Sequence, residues 1–224
     1  MTDGLPPIAY ETLNTRVYST LCDAIIKGQF KPGDRLKIRD LAQRLGTSVT
    51  PVRDAILRLT HDGALVFHSP RDIRIPVLGM DQYLEIRNIR LRLEALAAEN
   101  AARKATAEDL DRLRALIARN EQAIAEGNIT LGLELNQSFH FELSVIARMP
   151  VLFNTLRRIW LQMGPLVAGA YGPGGRDMID HHYPVLDALE RRDPDAAAAA
   201  IMQDILGGGQ MILAQVKAAA PPSA

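Results

Sequence analysis

The sequence predicts a mostly α-helical protein in two parts: three short helices with a β-hairpin over residues 1–78, then an antiparallel bundle of about six helices over residues 79–224. Three observations lead there. Apolar residues recur at helical spacing along most of the chain, one stretch after Gly63 switches to branched and aromatic residues around a turn, and beyond Asp81 helical segments are separated only by short breaks. From Thr15 to Lys27, Val17, Leu21, Ala24, Ile25 and Ile26 form a stripe that Gly28 ends. Pro32-Gly33 makes a turn, IRDLAQRLG is a short helix closed by Gly46, and a further helix follows with Ser48 as its cap and Pro51 in its first turn. Val52, Ile56 and Leu59 are its buried stripe, and Gly63 stops it. The segment ALVFHSPRDIRIPVL reads as a hairpin turning at Ser69–Asp72. The bundle helices are expected over 81–104, 107–126, 130–148, 151–170, 177–192 and 194–217, with breaks at Thr106, Gly127, Pro150, Gly172–Gly175 and Asp193-Pro194.

Composition sets the class. At 47% hydrophobic and 23% charged residues the chain matches globular proteins, not disordered, collagen-like or coiled-coil ones. The lone cysteine, Cys22, excludes an intrachain disulfide, suits a reducing compartment and reads as a small core residue. No run approaches the length of an apolar membrane span, and the first residues lack a basic start followed by an apolar stretch, so a cytoplasmic protein without a membrane partner is expected. The formal net charge is zero, but residues 1–78 hold 11 Lys/Arg against 8 Asp/Glu and the remainder 15 against 18. Between residues 31 and 53, Lys31, Arg35, Lys37, Arg39, Arg44 and Arg53 face only Asp34 and Asp40. A basic patch of this kind suits nucleic acid.

Two short helices around Gly46 followed by a hairpin make a winged helix-turn-helix, whose second helix enters the major groove N-terminus first. Ser48, Val49, Thr50 and Arg53 would then lie near base edges or phosphates, and Arg39 could reach the backbone or a guanine. The competing reading makes Arg39 and Arg53 plain surface charges, with Arg53 paired to Asp54 or Asp40. The residues Pro32-Gly33-Asp34-Arg35-Leu36, Leu41-Ala42-Gln43-Arg44-Leu45-Gly46-Thr47-Ser48 and Thr50-Pro51-Val52-Arg53-Asp54-Ala55, with Leu59 and Gly63, closely resemble the N-terminal domain of the GntR family of bacterial repressors. The resemblance covers about residues 13–78 and implies that Arg39, Ser48, Thr50 and Arg53 contact operator DNA. Two positions depart from the family pattern. Val49 stands where an arginine is usual, offering only apolar contact, for instance to a thymine methyl. Pro70-Arg71-Asp72 replaces the wing glycine, so that Arg71 would approach the minor groove through its charge.

In the second part Asn136 and His140 lie four residues apart, on one helix face, a spacing that can supply two metal ligands. A histidine between two phenylalanines is more often a hydrogen-bonded core residue. His181 and His182 open a later helix and Asp204 lies in the last one. Arg90-Leu91-Arg92-Leu93-Glu94, Asn136 to His140, His182 with Ala188 and Asp193, and Asp204 resemble the FCD ligand-binding domain of the FadR-type subfamily, over roughly residues 80–215. Six helices with none added after the wing are similar to its VanR-type branch.

That resemblance implies a divalent metal held by Asn136, His140, His182 and Asp204, with zinc expected and nickel or another first-row ion as alternatives. Asp204 replaces the usual histidine. His181 points about 100° away from His182 around the helix. Arg90 matches a family arginine that lines the effector pocket, where its fork suits an organic acid; a salt bridge to Glu94 or Glu134 is the competing role. Arg157 and Trp160 are candidates for the cavity border, and Tyr171 with Gly172–Gly175 for either a flap or a plain interhelix loop. The expected protein is a homodimeric repressor whose effector, a small organic acid bound beside the metal, shifts the two DNA-binding domains on a palindromic operator. Two alternatives are a metal-free regulator binding its effector through Asn136, His140 and His182, and a metal-dependent hydrolytic enzyme.

Overall fold

The computed structural model describes residues 13–69 and 71–219. Helix α1 (Leu13–Ile26) buries Val17, Leu21, Cys22, Ile25 and Ile26, so the lone cysteine is a core residue. Its end follows from Gly28, whose φ of +67° lets the amides of Gly28 and Gln29 turn back onto the carbonyls of Ile25 and Ala24. Strand β1 (Arg35–Leu36), α2 (Ile38–Arg44), α3 (Val49–His61), β2 (Val66–Ser69) and β3 (Asp72–Arg74) complete the first part. Pro70, at the expected hairpin turn, lies outside the described residues.

The sheet has three strands in the order β1-β3-β2, all antiparallel, with Leu36 opposite Ile73 and Val66 opposite Arg74. The hairpin alone was expected. Two residues are too few to show alternation, so β1 is invisible to periodicity, and it forms because buried Leu36 and Ile73 pair while Gly33 and Ile75 extend the ladder with an amide–carbonyl bond.

Six helices follow: α4 (Met80–Lys104), α5 (Ala107–Ala125), α6 (Ile129–Ile146), α7 (Pro150–Gly174), α8 (His182–Glu190) and α9 (Pro194–Ala219). A reciprocal capping box starts α5: the Asp109 amide donates to the Thr106 hydroxyl and the Thr106 amide to the Asp109 carboxylate. Pro150, expected as a break, is the first residue of α7, where a missing amide hydrogen is harmless. The single helix expected over 177–192 is divided. The backbone of α7 continues through Gly172 to Gly174, a 3-10 turn covers Gly175–Met178, and α8 begins at His182, with Met178 and Ile179 buried between. Helix α9 has a window of mean hydropathy 1.2 over Pro194–Ala218, long and apolar enough by length and composition to cross a membrane, but it packs along α4, α7 and α8 as a wall of the bundle.

The two parts meet where the C-terminus of α1 docks between α6 and α7. The buried side-chain amide of Gln137 donates to the Ile26 carbonyl, one of the acceptors that the end of α1 leaves unpaired. Close approach requires glycine: a Cβ on Gly164 would stand 2.7 Å from the Ile26 Cα and oxygen, and one on Gly28 would collide with the Cβ of Ala168. Lys27 pairs with Glu134 at 3.2 Å and Arg157 with Asp23 at 2.8 Å around the rim.

Gly28 and Gly127 share a φ of +67°, but nothing lies within 4 Å of a Cβ on Gly127. Gly127→Ala is therefore expected to cost about 1 kcal/mol of left-handed strain, and Gly28→Ala ~3 kcal/mol as the docked helix is pushed away. Urea denaturation of the two variants measures the difference; equal losses would mean that the docking is loose.

Candidate nucleic-acid interface and metal centre

The first candidate site is a groove of about 340 Å³ between the N-termini of α2 and α3 and the sheet. Arg39, Val49, Arg53 and Arg71, all singled out by the sequence, line it together with Lys37. Arg39, Arg53 and Arg71 are exposed, and none makes a side-chain ion pair among the described residues. The acids that might have neutralised Arg53 are engaged elsewhere: Asp54 accepts a bond from Asn14 at 2.9 Å, and Asp40 lies 3.9 Å from Lys37. Ser48 is the N-cap of α3 by backbone position, but its side chain makes no capping bond, and Thr50 is exposed beside it. Two hydroxyls and a helix N-terminus are thus presented together, an arrangement suited to phosphate. Val49 is half-buried within the groove, so its methyl groups face the space between the cations.

Arg35 was only part of the basic patch in the sequence. Its guanidinium donates to the Arg71 carbonyl at 2.8 Å and pairs with Asp72 at 3.3 Å, which ties the tip of the hairpin to β1. The backbone position of Arg71 is therefore held while its side chain stays unspent.

The second candidate site lies inside the bundle. Its anchor is Glu94 of α4, 1% exposed, whose carboxylate takes three bonds from three helices: Arg90 Nε at 2.6 Å, His140 Nδ1 at 2.7 Å and Trp160 Nε1 at 3.2 Å. Burial alone would raise the Glu94 pKa, but Arg90 and His140 outweigh it and hold the acid down to about 2. An ionised carboxylate only accepts, so His140 carries its proton on Nδ1 and turns Nε2 towards Asp204, 3.2 Å from Oδ2.

His182 is fully buried, stacked on Phe139 with ring centroids 3.9 Å apart, and its Nε2 lies 3.5 Å from Asp204 Oδ1. Neither ring nitrogen has a hydrogen-bond partner, and the same holds for the buried Oδ1 of Asn136. Burial pushes the His182 pKa well down, with the nearby His140 adding to the effect, so the ring is neutral; burial pushes Asp204 up to about 6, against the pull of His140. One ligand atom from each of His140, His182 and Asp204 lies within 4.8 Å of the others. Two imidazoles, a carboxylate and an amide oxygen, three of whose buried atoms lack hydrogen-bond partners among the described residues, fit a first-row divalent ion chemically.

A cavity opens on this cluster, lined by Arg90, Asn136, His140, Trp160, Asp204 and the backbone of Gly208 and Gly209. Arg90 makes the salt bridge that was one of its two expected roles, through Nε to Glu94, while its guanidinium stacks 4.3 Å from the Trp160 ring centroid and the residue lines the cavity. Glu134 pairs with Lys27 instead. His181 is the N-cap residue of α8 and packs over Gly207, near enough for its charge to act on Asp204 and His182 but outside the group of ligand atoms.

Two expectations are corrected. Arg157 does not border this cavity, because its bond to Asp23 holds it at the seam between the two parts. Tyr171 is neither flap nor loop: it is 2% exposed and its hydroxyl pairs with the Asn120 side-chain amide at 2.6 Å, which fixes it in the core. Glu94 itself was quoted in the sequence only as a partner for Arg90. Its i,i+4 spacing from Arg90 was visible, but its contacts with His140 and Trp160 join residues far apart in the chain.

Removing the carboxylate by Glu94→Ala would leave the buried Arg90 charge uncompensated and is expected to destabilise the protein by about 3–5 kcal/mol. Arg53→Ala, at an exposed and unpartnered position, should stay within about 0.5 kcal/mol. Denaturant titrations followed by circular dichroism check both values.

Comparisons with known proteins agree with this geometry. Residues 13–75 match the model of the bacterial regulatory proteins of the gntR family, and residues 85–206 match the FCD domain. The chain is 31% identical over 207 residues to the HTH-type transcriptional regulator McbR of Escherichia coli, covering 89% of this chain and 94% of that one. The solved structure of E. coli McbR/YncC superposes with a TM-score of 0.86 at 28% identity, over 92% of this chain and 99% of the other. A transcriptional regulator described as GntR from Rhodococcus sp. RHA1 shares the fold, with a TM-score of 0.75 at 23% identity over 93% and 99% of the two chains.

Proposed function

The chain belongs to the GntR family of bacterial regulatory proteins and carries an FCD domain, so it is a transcription regulator and not an enzyme; on that premise we propose that it is a homodimeric, cytoplasmic repressor controlled by a small organic acid. The observation that carries the DNA part is the groove in which Arg39, Arg53 and Arg71 stand exposed and unpaired beside the N-terminus of α3. In this reading α3 enters the major groove, Arg53 and Arg39 donate to guanine edges or phosphates, Ser48 and Thr50 hold phosphate oxygens, and Arg71 follows the minor groove. Val49 removes one guanine contact and favours a base pair that offers a thymine methyl. Residues 1–78 form the reading domain and residues 79–224 the sensing domain. A two-fold dimer then matches a palindromic operator.

The sensing part rests on the orphaned buried atoms of Asn136 and His182 beside His140 and Asp204. These four residues would hold a divalent ion, zinc in the first instance, which supplies a Lewis-acidic point for an acid group. Glu94 fixes the His140 ring, and Arg90, with only its Nε committed, offers its remaining donors to a carboxylate. Signal passes through α6 and α7. One face of these helices lines the cavity with Asn136, His140, Trp160 and Val167, while the other holds α1 through Gln137, Gly164 and Ala168. An effector that favours a shifted α6–α7 pair about 100-fold changes the placement of the reading domain by roughly 2.7 kcal/mol.

The test is footprinting of the genomic operator followed by mobility shifts. Arg53→Ala should weaken operator binding by about tenfold to hundredfold while the fold is kept, and undiminished affinity would remove Arg53 from the interface. Elemental analysis of untagged protein is expected to find one ion per chain, lost in His182→Ala. Metal-free protein that still answers an organic acid would instead make Asn136, His140 and His182 direct effector ligands.

A further inference from the structure

A second cleft, of about 340 Å³, lies at the seam where α1, α3 and α7 meet, separate from both sites described above. We infer that it is an anion-binding site for a phosphate group, best filled by a small organic phosphate monoester, which would tie the reading part to the sensing part.

Its walls carry Ser19 and Cys22 from α1, Arg58 from α3, and Asn154, Arg158 and Leu161 from α7, with Arg157 at the rim. The charges do not balance. Arg157 is bonded to Asp23 at 2.8 Å, but the nearest carboxylate to Arg158 is Asp62 at 3.8 Å, and Asp62 already takes the Tyr18 hydroxyl at 2.5 Å. Arg58 makes no ion pair among the described residues. Its guanidinium lies 3.8 Å from the Tyr18 ring centroid, a stacking that orients it over the cleft. Cations from the two halves of the molecule therefore share one concave space with two carboxylates at its edge, and their mutual repulsion is relieved by a dianion between them.

The remaining lining agrees with a phosphate ester. The Ser19 hydroxyl and the Asn154 amide supply neutral donors, while the buried Cys22 and Leu161 give an apolar floor for a short carbon chain. Guanidinium forks suit tetrahedral oxyanions. DNA is a poor occupant. Arg58 follows Arg53 by five residues, which turns it about 140° around α3 from the operator-facing side.

Isothermal titration of the full chain at constant ionic strength, in a phosphate-free buffer, tests this with n-propyl phosphate and inorganic phosphate as probes. Saturable binding of one probe molecule per chain is expected, weakened about tenfold or more in Arg58→Gln and in Arg158→Gln and unchanged in Arg119→Gln, an exposed arginine of α5 outside both grooves. Tighter binding of the ester than of inorganic phosphate assigns a role to the apolar floor; equal binding assigns recognition to the phosphate alone, and either outcome supports the site. Absence of saturable heat, binding untouched by both cleft substitutions, or binding lost in Arg119→Gln would overturn it. Both cleft arginines are exposed, so circular dichroism of each variant is expected to match the unsubstituted chain.

Discussion

The buried carboxylate of Glu94 is the constraint on which the helical bundle depends. It collects a guanidinium from its own helix, an imidazole from α6 and an indole from α7, so three helices of the bundle are joined through two oxygen atoms. A single buried charge would be costly, and a charge with three donors is not. Because all its acceptor capacity is directed inward, it also decides which nitrogen His140 offers and how much of Arg90 is left for a ligand. The cavity, the candidate metal ligands and the orientation of α7 are consequences of that arrangement.

A second joint lies on the opposite side of the same helices. The end of α1 is seated against backbone at Gly164 and is bonded by Gln137, the residue after Asn136. The reading half is thus not suspended on a linker alone. Its first helix rests on the two helices that enclose the cavity, and small movements of a close-packed surface are transmitted instead of being absorbed. A regulator of the GntR family needs such a connection if a molecule bound in one half is to influence affinity in the other.

How far this was legible in the sequence differs by element. The long helices were, because their apolar spacing is local and repeated, and their ends fell within a few residues of expectation except around residues 172–182. There the backbone choice is made by tertiary burial of Met178 and Ile179, which periodicity does not report. Strand β1 was missed since two residues carry no period. Arg53 could be named because a dense motif contains it, Arg39 from its place at the start of the preceding helix, and Val49 and Arg71 as departures from the family pattern; all four line one groove. Asn136 and His140 could be paired by helical spacing; that His182 and Asp204 approach them was implied only by family resemblance. The role of Glu94, the capping of α1 by Gln137 and the arginine cleft depend on contacts between distant segments and leave no local trace.

In the run Gly207–Gly209 of α9, Gly208 and Gly209 give the cavity an unusual wall. Each glycine weakens the helix by about 1 kcal/mol relative to alanine, and the two that face the cavity leave volume there that side chains would fill. The three positions differ in what a methyl group would meet: His181 at 2.7 Å from a Cβ on residue 207, the Met178 side chain at 3.5 Å for 208, and the Tyr83 hydroxyl at 3.1 Å for 209. Residue 208 alone accepts a side chain in ordinary contact. A methyl group there would narrow the cavity and strengthen the helix at once, without touching any polar group, so the volume of this chamber and the polar groups around it are set by different residues.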